Sequence, residues 1–170
     1  MGHAFAESDG PHEAALEGWK RSWNLASDKS THPERTLRYP NDRSFAGVTV
    51  WLGLERGIPG DIRTGAVYRL SEDDLASLDR RERGYEWVEV SHQVTWETMP
   101  AEATVGTYVP TPESLELLET ALSARRPVAV RHRYLEMIEQ GFRALGEDAF
   151  ARYLTTAAPP WPVEQLSWTE

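Results

Sequence analysis

The sequence predicts an α+β domain, and two changes of apolar period carry that expectation. Val48, Val50, Leu52 and Leu54 alternate with Thr49, Trp51 and Gly53, and a second alternating run extends from Tyr85 to Trp96, the period-two signature of strands with one buried face. The final third switches to helical spacing, with Leu115, Leu118 and Leu122 on one stripe and Tyr134, Ile138, Gly141, Phe142 and Leu145 on another. Strands mostly first and helices mostly last define the α+β class, here a small barrel with helices packed on its outside or end.

The elements follow in order. Residues 1–12 are polar, and Ala14, Ala15, Leu16 and Trp19 then open an apolar stretch whose pattern fits a short helix or a strand. Residues 30–43 hold two prolines and several turn formers and read as a loop. After the strand at 48–54, Pro59-Gly60-Asp61 is a turn, and Ile62 to Leu70 is a further strand, paired with its predecessor as a hairpin or near neighbour. Ser71 stands three residues before Asp74 in a capping-box pattern and opens a helix that ends by Gly84. In the strand from Tyr85 to Trp96, Val88, Val90, Val94 and Trp96 share one face, with His92 among them as a core histidine. A last strand covers about 103–109, and two or three helices close the chain before a proline-rich tail at 157–170 that lies extended on the surface. Residues 1–156 form a single domain, because 170 residues suffice for one core and not for two of ordinary size.

Composition narrows the function classes. The net charge of −9, from 27 acidic against 18 basic side chains, argues against a surface that neutralises phosphates, so nucleic acid and anionic membrane are not expected partners. With no cysteine there is no disulfide frame and no thiolate nucleophile. A His/carboxylate metal site stays open, but the five histidines show no His-x-x-x-His or His-Glu-x-x-His spacing, so it has poor support. Neither a Gly-x-Ser-x-Gly elbow nor a phosphate-binding Gly-x-x-x-x-Gly-Lys loop is present. No apolar run approaches the roughly 18 residues of a membrane helix, and residues 1–11 carry no export signal, so the cytoplasm is the expected compartment. Trp19, Trp23, Trp51, Trp87 and Trp96 favour core positions on alternating strands over an aromatic cleft, and Trp161 and Trp168 in the tail are expected to fold back onto the body.

The densest chemical candidate is the segment from Leu75 to Tyr85, where a charged helix end meets an apolar strand. Glu82 lies near the helix C-terminus, where the macrodipole disfavours negative charge, a setting suited to a general acid or base. Tyr85, three residues on, is placed to donate a hydrogen bond to it or to a ligand. The plainer alternative is that residues 79–83 are a solvated helix face with exposed ion pairs. A two-carboxylate hydrolase built on Glu82 with Glu86 or Glu89 has less support, because Glu86 and Glu89 fall on opposite faces of the strand.

The stretch from Gly65 to Val90, GAVYRLSEDDLASLDRRERGYEWVEV, resembles the gamma-glutamylcyclotransferases, with their Val-x-x-Leu strand end, Leu-Asp-x-x-Glu helix and Tyr-x-x-Val-x-Val strand. Gly18-Trp19-Lys20-Arg21 is similar to the family's Gly-Trp/Tyr-x-Arg segment, Val48 to Leu54 to its next strand, Gly106-Thr107-Tyr108-Val109 to its last barrel strand, and the run from Tyr134 to Gly141 to its Tyr-Leu-x-x-x-x-x-Gly helix. The resemblance spans about residues 16–155. It implies a small, mostly antiparallel β-barrel with flanking α-helices, and a cofactor-free, metal-free reaction in which the amine of a small-molecule gamma-glutamyl substrate attacks its own γ-carbonyl, releasing 5-oxoproline and an amine. Glu82 matches the family's catalytic carboxylate, and Tyr85, Tyr108 and Tyr134 match substrate-binding tyrosines. One departure stands out: the family's Tyr-Gly-Ser substrate loop occurs nowhere in this sequence. Either the sequence starts after that loop, or the loop is lost and with it the activity; Gly2 and Ser8 are the nearest residues for rebuilding an anion-binding nest. The alternative function is therefore a catalytically silent barrel that binds a small molecule or protein partner.

Overall fold

The alternating residues build strands in the computed structural model, which describes residues 11–28, 36–82, 84–97, 100, 102–156 and 158–169. The positions singled out at Gly2, Ser8, 30–35 and Arg83 lie outside the described residues. The first apolar stretch is strand, β1 (His12–Glu17) running into β2 (Trp19–Asp28) through Gly18 at φ +77°, a backbone region open to glycine at no steric cost. After the short β3 (Leu37–Arg38), β4 (Val48–Arg56) and β5 (Ile62–Val67) return along them: β4 pairs antiparallel with β2 and β5 with β1. The expected hairpin between β4 and β5 does not form. These two strands are successive lengths of one side of a long ribbon, with residues 57–61 looped out opposite Gly18, whose N–H donates to the Asp61 carbonyl (2.8 Å) and whose carbonyl accepts from Gly57 N–H (2.9 Å).

Ser71 caps α1 (Glu72–Arg81) through the reciprocal box with Asp74 that the spacing indicates. The long strand expected from Tyr85 to Trp96 is divided. β6 (Tyr85–Glu89) is followed by a single 3-10 turn, Ser91–Gln93, and then by β7 (Val94–Thr95). Val88, Val90, Val94 and Trp96 nevertheless pack in one cluster, because the turn restores the inward phase; His92 sits on the turn and is exposed, not a core residue. β8 (Gly106–Pro110) pairs with β6. Then come α2 (Pro112–Ser123), β9 (Val128–Arg131), α3 (His132–Ala144), α4 (Glu147–Thr156), β10 (Val163–Glu164) and β11 (Ser167–Trp168).

The class is α+β, with four helices and sheets of order β5-β1-β7, β10-β9-β4-β2, β11-β3 and β6-β8 among the described residues. None of these sheets closes on itself, so the expected barrel is replaced by separate open sheets. Pairing is mostly antiparallel, with β9 parallel to both β4 and β10. β9 went unread in the sequence because Val128-Ala129-Val130 is too short to show a period.

The four-stranded sheet is covered by α2, and Trp23, Val48, Val50, Leu118, Ala121 and Val130 form the core between them. The face expected to be outward on β4 is covered too, since Thr49 is buried as deeply as its neighbours. On α2 the buried positions are Leu118 and Ala121, whereas Leu115 and Leu122 are exposed; the buried face is rotated from the Leu stripe toward the small Ala121, which lets the helix approach the sheet. A second cluster gathers Ala14, Trp19, Val90, Val94, Val105 and Val109 around β1 and β8. The tail folds back: Trp161 packs on the first core and Trp168 beside Leu37 and Leu166. No described helix is long and apolar enough to cross a membrane.

Candidate functional site

A cavity of about 440 Å³ opens between the second cluster and α3. Gly65, Ala66 and Val67 of β5 and Met137, Ile138 and Phe142 of α3 supply apolar walls. The tyrosines expected in a pocket, Tyr85, Tyr108 and Tyr134, all line this one cavity.

Each is brought there by a different local device. Tyr85 follows a tight turn at the end of α1, in which Glu82 N–H donates to the Leu78 carbonyl (2.8 Å) and Tyr85 N–H to the Glu82 carbonyl (3.1 Å). Gly84, at φ +113°, completes the turn, and its carbonyl accepts from Thr111 N–H (3.0 Å) and the Ser114 hydroxyl (2.9 Å) at the start of α2. Tyr108 sits on β8 opposite Trp87, and its hydroxyl donates to Asp79 of α1 at 2.5 Å. Tyr134 is on the first turn of α3. The β2–β4 ladder shifts register between Trp23 and Leu25, and at this bulge the Leu52 N–H donates to the Tyr134 hydroxyl at 3.2 Å. That leaves the Tyr134 proton available to a ligand in the cavity. Trp23 and Trp51 meet the same ring edge-on, at 6.1 and 4.5 Å between centroids, and fix its orientation.

Glu82 stands at the C-terminal cap of α1 with a quarter of its side chain exposed (24%) and does not itself line the cavity. One carboxylate oxygen accepts from Arg81 Nε and Nη2, both at 2.9 Å. Its charge still reaches the three tyrosines. Burial first, then Glu82, pushes Tyr85 up to about 12. Burial, the Asp79 hydrogen bond and the charges of Asp79 and Glu82 push Tyr108 up to about 12. Burial, followed by Tyr85, raises Tyr134, with Leu52 N–H opposing and Glu82 adding a smaller push. All three phenols are therefore held neutral, as hydrogen-bond donors, at ordinary pH.

Glu86 and Glu89 are exposed, and Glu89 accepts from the Ser91 hydroxyl at 2.9 Å; neither lines the cavity, so no second carboxylate from this strand joins Glu82. Among the described residues no group of three His, Asp or Glu side chains is arranged to hold a metal.

Three residues at or beside the cavity were not among the candidate site residues, although Arg21 stands in the Gly18-Trp19-Lys20-Arg21 segment quoted above. Asp79 was grouped with the solvated helix face and instead holds Tyr108. Arg21 and Arg63 both line the cavity. Arg21 carried a signal: it alternates with Trp19 and Trp23, both buried, and a charge in the inward phase of a strand asks for a partner or a ligand. Arg63 had none, since the Ile62 to Leu70 pattern assigns no clear inward face.

Comparison with protein-family models, with curated proteins and with solved structures finds no match to this chain.

Proposed function

We propose that the chain is a gamma-glutamylcyclotransferase-like enzyme, with Glu82 as general acid/base. The observation that supports this reading is the convergence of Tyr85, Tyr108 and Tyr134 on one cavity within reach of the Glu82 charge. In the reaction the α-amine nitrogen of the gamma-glutamyl group attacks its γ-carbonyl carbon. The new C–N bond closes the five-membered lactam and the original C–N amide bond breaks; the ammonium nitrogen sheds two protons in becoming the lactam N–H, one passing through the Glu82 carboxylate to the departing nitrogen as its bond to carbon breaks, and the other protonating the released amine. Nothing is oxidised and no water is consumed. Holding the glutamyl chain folded supplies much of the rate, because attack within one molecule needs orientation more than activation. Tyr134, kept protonated and with its lone pair occupied by Leu52 N–H, is suited to donate to the oxygen that gains charge as the nitrogen adds. Glu82 serves the reaction after its side chain turns from Arg81 toward the cavity.

A second reading, a silent binding domain, is favoured by that same Arg81 contact and by the position of Glu82 outside the cavity wall. Release of 5-oxoproline from a panel of gamma-glutamyl amino acids and gamma-glutamyl amines separates the two. The enzyme reading expects release from at least one member and a loss of roughly 100-fold or more in Glu82→Gln, the range for a positioned proton carrier. Release that persists in the folded Gln variant removes Glu82 from the chemistry, and no release from any member favours the binding domain.

A further inference from the structure

The cavity brings two guanidinium groups from different strands to one apolar chamber. Arg21 on β2 reaches across to β5, where its Nη2 donates to the Thr64 carbonyl, and its guanidinium carbon lies 4.6 Å over the Phe142 ring of α3. Arg63, one residue before Thr64, donates from Nη1 to the Ile62 carbonyl at 2.7 Å and pairs with Asp61 at 3.4 Å, and its Nε is buried with no hydrogen-bond partner. Burial and the charge of Arg63 together lower Arg21 to about 10. Two like charges sharing a largely apolar cavity cost free energy, and an anion between them relieves the repulsion. Asp61 faces Arg63 from the looped-out residues 57–61, and Arg152 of α4 approaches the same strand through the Thr64 hydroxyl (2.9 Å) and Glu13.

The position along α3 separates this feature from the proton chemistry. Phe142, under Arg21, is eight residues beyond Tyr134, about 12 Å along the helix axis at 1.5 Å per residue. The Tyr134 phenol therefore lines the cavity near the start of α3, and the Arg21 guanidinium near its end.

We infer that Arg21 and Arg63 form a carboxylate-binding section of the cavity, which holds an acidic group of a small-molecule ligand by charge-assisted hydrogen bonds from Arg63 and by the positive field of both residues. The choice of gamma-glutamyl probes rests on the enzyme reading above. The carboxylate has two sources there, the α-carboxylate of the glutamyl group and a carboxylate on the departing amine.

The test is calorimetric binding to the wild-type chain and to Arg63→Gln, with Arg21→Lys as a second variant that keeps the charge, each checked for an unchanged unfolding midpoint. Three matched pairs are used: 5-oxoproline against 2-pyrrolidinone, gamma-glutamylalanine against gamma-glutamylethylamide, and hexanoate against hexanamide. The inference expects the carboxylate member of at least one pair to bind roughly 10-fold or more tightly than its neutral partner, and that preference to vanish in Arg63→Gln and survive in Arg21→Lys. A preference in the first pair assigns the glutamyl carboxylate, and one in the second assigns the departing amine. If no pair shows a preference, or if the preference survives Arg63→Gln, the inference is overturned. A preference in hexanoate alone, with no 5-oxoproline release, sinks the enzyme reading and leaves the carboxylate section standing. Release with the same affinities in wild type and Arg63→Gln does the reverse.

Discussion

The half of the molecule behind α2 and the half around β1, β5, β6 and β8 are built from similar residues and packed to different ends. In the first, the four-stranded sheet is covered on both faces, and Val48, Thr49, Val50, Ala121 and Val130 are at most 1% exposed. In the second, no residue of β5 or α3 is fully buried, and the space between them is the cavity. The difference follows from what faces each sheet. α2 presents small Ala121 beside Leu118 and comes close, whereas α3 presents Met137, Ile138 and Phe142 across a gap. Close packing stabilises the first half, and the second gives up part of that stabilisation to the open cavity.

The largest expected effect comes from removing the same side chain in each half. Leu118→Ala empties a packed site and is expected to cost about 2–5 kcal/mol, whereas Leu16→Ala, on the cavity wall, is expected to cost about 1–2 kcal/mol because it leaves no new enclosed void. Denaturant unfolding with both variants at constant slope reads the difference, and equal costs would erase the distinction between the halves. Glycines give a smaller contrast of opposite sign. A Cβ at Gly47 meets the Pro127 carbonyl oxygen closer than any side chain tolerates, while a Cβ at Gly141 on α3 has nothing within 4 Å. Gly47→Ala is expected to destabilise by about 1–3 kcal/mol and Gly141→Ala to stabilise by about 0.5–1 kcal/mol. A Gly141→Ala variant less stable than wild type would mean that α3 packs more tightly than its surroundings show.

A further contrast is a pH dependence that arises at the cavity. Tyr85 is raised from 10 to about 12 on folding, by burial and then by Glu82. A group whose pKa rises on folding contributes stability that is whole below its unfolded value and is lost as pH climbs through the folded one. Unfolding free energy is therefore expected to fall between pH 10 and 12 more steeply in wild type than in Tyr85→Phe, with Tyr108 and Tyr134 contributing in the same direction in both. Parallel curves for the two proteins would show that Tyr85 ionises as freely in the fold as in the unfolded chain.

Elements with a strong local signal were legible in the sequence. The capping box at Ser71 and Asp74 fixed the start of α1, and the alternation at Val48 to Leu54 marked β4, because both are set within a few residues. Long-range choices were not. Whether β5 pairs with β4 or β1 depends on where residues 57–61 loop out, and local alternation is the same in either case. The 3-10 turn at Ser91 keeps the valines in phase, so the pattern reads as one strand although the ladder breaks there. Of the cavity's tyrosines, Tyr85 was marked by its spacing to Glu82 and Tyr108 and Tyr134 by a resemblance, whereas Arg63 and Asp79 depend on strand register and helix placement that spacing alone does not encode.

The most direct test of the account is hydrogen–deuterium exchange with and without saturating gamma-glutamylalanine. The account predicts slowed exchange in 62–67, 85–89, 106–108 and 134–145, the elements around the cavity, and none in 118–131 behind α2. Protection confined to the surface around Arg38 and Trp168, or no protection anywhere, would contradict a gamma-glutamyl site between β5 and α3.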